Sequence, residues 1–163
     1  MISPARKPRR GQAMVEFALI APLFFFLLFA IIEGGRFVFY YEMLSSATRE
    51  GARYAIIHGY NAADGCPSGP MPAGAGPSCD LPGANVKEAV RKAALGLAGS
   101  GDFTSLEVFW CPAEGPKPCL STDELTNARG NPVTVRAVYL YRPVMPLLPP
   151  ISIGSESTLV INN

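Results

Sequence analysis

Between Ala13 and Ile32 only one residue, Glu16, carries a charge, and that run constrains the fold more than any other feature. At 1.5 Å per residue it makes a helix of about 30 Å, the hydrocarbon thickness of a bilayer. Arg6, Lys7, Arg9 and Arg10 stand just ahead of it, and no acid precedes Glu16. Basic residues beside a span stay in the cytoplasm, so the short N-terminus is expected inside and the remainder exported. A carboxylate near the bilayer core costs about 2.5 kcal/mol or more, so Glu16 requires an explanation.

The chain has 163 residues, enough for one modest domain. Its 48% hydrophobic and 17% charged residues are segregated along it rather than mixed. The leader holds four of the fourteen basic residues, so without it the net charge falls from +1 to −3. With no later basic stripe, nucleic acid is not an expected partner. Cys66, Cys79, Cys111 and Cys119 all fall on the exported side. Cys66–Cys79 and Cys111–Cys119 bridges are preferred, although four cysteines permit three pairings. Zinc is disfavoured because no Cys-x-x-Cys occurs and the single histidine, His58, is remote from most of the cysteines. No metal or cofactor is expected.

Three readings of the apolar run compete. A cleaved secretory signal fits poorly: the core is too long, and "IIEGGRFVFYYEM" offers no small-x-small site. A plain anchor explains the length and leaves Glu16 near the interface, where its side chain snorkels. The third treats "RRGQAMVEF" as a unit, with Gly11 ending a short leader and Gln12 beginning the mature chain. Glycine suits a scissile bond because no Cβ obstructs a protease cleft. The new α-amine at Gln12 then offers a partner for Glu16 of a neighbouring subunit, which sets register between packed helices.

The segments "GQAMVEFALIAPLFFFLLFAIIEGGRF", "ATREGARYA" and "NPVTVRAVYLYRPVMPLL" together resemble the TadE-like pseudopilins of the tight-adherence (Flp-type) pilus system. The resemblance implies an aspartic-type prepilin peptidase cutting between Gly11 and Gln12. It implies a minor pilin that supports pilus assembly rather than forming most of the shaft. Major Flp pilins usually have tyrosine after the glutamate and a very short remainder, whereas Phe17 and a sizeable domain follow here. The implied partners are the peptidase, other pseudopilins or Flp pilin, the inner-membrane assembly platform and the lipid bilayer. The implied location is the bacterial inner membrane, single-pass, with the C-terminal domain extracytoplasmic. The competing function is an uncleaved, membrane-tethered extracytoplasmic binding domain.

Beyond the span the helix is expected to continue, with Phe37, Tyr40, Tyr41, Leu44, Ala47 and Ala55 on one face and Gly59 as its stop. Tyr40 and Tyr41 suit the interfacial aromatic belt. Pro22 removes one hydrogen bond and bends the membrane part. Ser45, Ser46, Ala47, Gly51 and Ala52 are small enough for another backbone to approach. Glu33, Gly35 and Arg36 in "EGGR", with Arg49, Glu50, Gly51 and Arg53 in "REGAR", read either as surfaces for a partner helix or as a solvated face with weak local ion pairs.

"GCPSGPMPAGAGPSCD" reads as a disulfide-closed surface loop. In "ANVKEAVRKAALGLAGSGD" a helix is predicted, capped by Asn85 with Glu88 in the capping-box position and ended by Gly99 and Gly101. Its buried stripe would be Val86, Ala89, Val90, Ala93 and Leu97. Strands are predicted in "TSLEVFW", with Leu106, Val108 and Trp110 to one side, and in "PVTVRAVYLYR", with Val133, Val135, Ala137, Tyr139 and Tyr141 inward. A last strand covers Glu156 to Ile161. The expected architecture is α+β: a basic leader over 1–11, a long helix over 12–59 and a pilin-like head over 60–163. The apolar, proline-rich "RPVMPLLPPIS" either packs back on the long helix or meets a membrane or partner. No catalytic motif is present: His58 has no Ser, Cys or Asp motif around it, and the glycines lack a phosphate-loop setting. Asp64, Asp80, Asp102 and Asp123 suit capping or solvated turns. An enzyme is not expected.

Overall fold

One continuous helix, α1 (Arg10–Ile57), carries the architecture. The computed structural model describes residues 10–94, 96–97, 103–110, 126–145 and 148–162. The basic leader ahead of Arg10, Gly99, Gly101 and the Cys111–Cys119 pair lie outside them. From Gly11 to Ile32 the large apolar side chains of α1 are exposed. From Leu44 to Ala55 the same helix is the spine of the head: Leu44, Ala47, Ala52 and Ala55 are buried. Pro22 is accommodated within α1.

Against that spine pack α2 (Ala84–Ala93) and an antiparallel sheet of β1 (Phe103–Phe109), β2 (Pro132–Tyr141) and β3 (Ile151–Val160), in the order β1-β2-β3. The central strand shows why this sheet forms. Val133, Val135, Ala137, Tyr139 and Tyr141 recur at a period of two, and all five are buried. On the other face Thr134 and Thr158 stand opposite each other and join hydroxyls at 2.8 Å. The α+β class read from the sequence is the fold observed.

Several local expectations are corrected. β3 begins at Ile151, five residues earlier than expected, because Ile151 and Ser152 pair with Tyr141 and Leu140 and the full length of β2 finds a partner. Tyr41 lies off the buried face, one step of about 100° past Tyr40. Ala94 replaces Ala93 in the stripe of α2, and Ala89 is half-buried. Asn85 is not the cap. Gly83, at φ 67°, occupies that position and turns the chain so that the Asp80 carboxylate accepts from the Ala84 and Asn85 N–H groups at 2.6 and 2.8 Å. A negative charge there also complements the helix dipole. Glu88 lies 4.0 Å from Arg91 instead of closing a capping box. Gly59 ends α1 without a left-handed turn; a Cβ there would stand 2.6 Å from Ile161.

The Gly/Pro-rich segment does more than form a surface loop. Cys66 and Cys79 are joined, with Cα atoms 5.4 Å apart. Buried Ser68 donates to Asp80 at 3.2 Å. Asn127 then pins the segment to the end of α1: its side chain donates to Ser68 O, its N–H to Pro70 O, and its carbonyl accepts from Tyr60. Closing a loop of this length restricts the unfolded chain by about 3 kcal/mol. A Cys66→Ser, Cys79→Ser double variant is therefore expected to lose roughly that stability. Urea unfolding of the detergent-solubilised chain, followed by Trp110 fluorescence, measures it.

Candidate functional site

Two regions of α1 carry the residues singled out by the sequence. The first is its N-terminal end. Gly11, Gln12 and Glu16 are exposed, and nothing stands within 4 Å of where a Gly11 Cβ would be. The Gly11–Gln12 bond lies in the first turn, where N–H groups have no intrahelical partner and unwinding costs least. Glu16 projects from the bare apolar helix without a partner in the described chain.

The second region is the junction between α1 and the head, and here the structure departs from the expected partner surface. Glu33 is only 9% exposed. It shares a helix face with Phe37, Tyr40 and Leu44, at spacings of four, three and four. That face meets the end of β2 and the connection that follows. Tyr141 donates its hydroxyl to Glu33 Oε1, the Val144 N–H donates to Oε2 at 3.2 Å, and Arg36 Nη1 lies 3.5 Å from Oε2. Aromatic rings enclose the site: Tyr141 packs edge-on to Phe37 and Tyr40, with centroids at 5.5 and 5.3 Å, and Tyr40 lies 5.7 Å from Tyr139. The Arg36 guanidinium stands 5.8 Å from the Tyr40 ring centroid and 5.9 Å from that of Tyr141. Burial, then the hydrogen bond to the Glu33 carboxylate, pushes the Tyr141 hydroxyl up to about 12. A buried carboxylate that gathers three donors from its own chain fixes the head relative to the helix. Glu33 is therefore committed to the head of the same chain.

Gly51 is corrected in the same way. A Cβ there would stand 2.3 Å from Val90 Cγ2 and 3.4 Å from Val135 Cγ1, so the close approach it permits is to α2 and β2 of its own head. Ala47 and Ala52 serve that same packing, and Ser45 is half-buried beside it. Pro22, Gly35, Arg49, Glu50 and Arg53 remain on exposed helix faces. Among these, Arg53 pairs with Glu50 at 3.8 Å, the weak exposed kind. His58 stacks on Tyr54 with centroids 3.9 Å apart and lies 3.2 Å from Asp64. Among the described residues, no three His, Cys, Asp or Glu side chains come together as a metal site would require. No sequence signal marks Tyr141 and Val144 as the partners of Glu33. They lie 108 and 111 residues away in sequence, and no local pattern links them.

A helix long and apolar enough to cross a bilayer, running unbroken into the core of a small α+β head, is consistent with a single-pass membrane protein. Residues 11–53, which include the membrane-length run, match the family model described as TadE-like protein. The match starts at Gly11 and covers the apolar run, the Glu33 junction and "ATREGAR", while the sheet and α2 lie outside it. No curated protein and no solved structure matches the chain.

Proposed function

We propose that the protein is a TadE-like pseudopilin that supports assembly of a tight-adherence pilus and is matured by a prepilin peptidase between Gly11 and Gln12. The observation that carries this reading is the TadE-like match beginning at Gly11. The exposed apolar run that follows supports it, since apolar side chains left uncovered by their own chain are suited to lie among lipids or packed helices. The leader stays cytoplasmic, and the head sits on the outer side of the bacterial inner membrane. There it meets other pseudopilins or Flp pilin and the assembly platform. Once freed, the Gln12 α-amine pairs with Glu16 of an adjacent subunit, which offsets the cost of a carboxylate among apolar helices. The exposed Arg49, Glu50 and Arg53 remain available to a partner, whereas Glu33 and Gly51 act within the chain.

Intact mass and the N-terminal peptide of membrane-extracted protein test the maturation step. The wild type is expected to begin at Gln12, and Gly11→Arg to remain full-length in the membrane. Normal processing of Gly11→Arg, or a wild-type chain that keeps its leader, would replace this reading with an uncleaved, membrane-tethered binding domain. Glu16→Ala is expected to be cleaved normally yet to impair pilus formation; undiminished pili would remove the role given to the carboxylate.

A further inference from the structure

The connection between β2 and β3 leaves apolar side chains uncovered at an unusual place. Val144 is 72% exposed and Leu148 46%, and Ile151 is also exposed. The connection does not stand off in solvent beside the head. An apolar groove between it and α1 is lined by Phe26, Ala30, Leu148 and Ile151, and an adjoining one by Phe29, Ile32, Val144 and Met145. Phe26 lies six residues before Ile32, about 9 Å down the helix axis from the end of the uncharged run. Whatever surrounds the last two turns of that run also surrounds the connection.

We infer that this connection, through its described residues 142–145 and 148–150, is a second membrane contact, placed beside α1 in the headgroup–acyl boundary on the exported side. The inference rests on the reading of α1 as a transmembrane helix. Apolar surface held about 5–10 Å into that boundary is the depth typical of interfacial segments. Irregular backbone at this depth must leave few N–H groups without partners. Among the described residues, Pro143, Pro149 and Pro150 have none, Val144 donates to Glu33, and Leu148 donates to Met145 O at 3.2 Å. Arg142, at the start of the segment, is exposed, and a cation there suits lipid phosphates. The buried Glu33 carboxylate thereby gains a purpose at this boundary: it takes up a backbone donor that lipid cannot. With two contacts, the helix and the connection, the head is held at a fixed tilt to the membrane rather than swinging on a single rod.

Depth-dependent quenching in reconstituted vesicles tests this. The full chain is placed in phosphatidylcholine–phosphatidylglycerol vesicles carrying brominated acyl chains. Val144→Trp is the main variant, Leu148→Trp is a second in case either perturbs the fold, and Phe25→Trp on the exposed helix is the reference. Wild type, with only buried Trp110, reports the background. Quenching of the Val144 or Leu148 variant comparable to the reference, with a blue-shifted emission, is expected. A quenched reference with unquenched, red emission at both connection positions would overturn the inference and leave the transmembrane helix intact. Blue but unquenched emission there would also overturn it, showing that a second copy covers the patch instead of lipid. An unquenched reference would overturn the transmembrane reading and the inference together.

Discussion

Trp110→Ala is expected to lower the stability of the head by about 3–5 kcal/mol. That is a large share of the roughly 5–15 kcal/mol that holds a typical domain together. Trp110 is 3% exposed, and its ring fits against two backbone positions that carry no side chain. A Cβ at Gly69 would stand 2.2 Å from Cε2, and one at Gly83 2.8 Å from Cη2. Both glycines have positive φ, 95° and 67°, so the chain there is already bent to accept the ring. Glycines cannot swing side chains into the space the indole leaves, so the cavity collapses poorly and its cost stays high. The indole N–H has no partner among the described residues, so the loss is one of packing rather than of a hydrogen bond. Urea midpoints followed by far-ultraviolet circular dichroism measure the loss. Trp110→Phe, which keeps part of the ring volume, is expected to lose distinctly less.

Glu33→Ala is expected to cost about 2–5 kcal/mol, since each buried donor left without an acceptor costs about 1–3 kcal/mol. The Val144 N–H loses its acceptor, the Tyr141 hydroxyl is left with only the Glu33 carbonyl at 3.4 Å, and Arg36 loses its nearest carboxylate. Tyr141→Phe removes a donor instead of an acceptor and is expected to cost less. The tyrosine supplies a direct readout, because its hydroxyl is pushed up to about 12 from the ordinary value of 10.0. The neutral hydroxyl is the form that the fold favours. Its contribution is therefore complete below pH 10 and is lost as pH rises from 10 towards 12. A shift of this size corresponds to roughly 3 kcal/mol of linked stability. Alkaline titration of tyrosinate absorbance is expected to show a late-ionising group that Tyr141→Phe removes. In Glu33→Ala that group titrates earlier but still above 10, because burial, the larger cause, remains while the carboxylate is gone. An unchanged late transition in Glu33→Ala would show that the carboxylate does not act on the tyrosine.

Elements whose periodicity matches their burial were legible in the sequence. The alternation from Val133 to Tyr141 places the central strand, and the uncharged run from Phe17 to Ile32 gives the helix that stands bare. The Cys66–Cys79 bridge follows from two near cysteines in a segment that turns freely. The sequence points to Asn85 rather than Asp80 because an Asx-type residue inside the helix looks like a cap until the turn before it is known. Gly83 enters that turn left-handed, and this brings Asp80, four residues before Ala84, onto the free N–H groups. The early start of β3 was hidden by Pro149 and Pro150, which sit just before Ile151 and disguise its pairing with Tyr141.

The sequence by itself determined the membrane-length helix, the α+β content of the head and the match of residues 11–53 to the TadE-like family model, because charge, hydropathy and period are local properties of the chain. Only the tertiary structure decided what the small and charged residues of the helix beyond the span face. Gly51 and Ala47 look alike whether the backbone approaching them belongs to another subunit or to the same head. The Glu33 carboxylate likewise reads as a docking charge until Tyr141 and Val144 are brought beside it. Contacts between residues a hundred positions apart are set by how the sheet closes on the helix, and that closure leaves no mark in any short stretch of sequence.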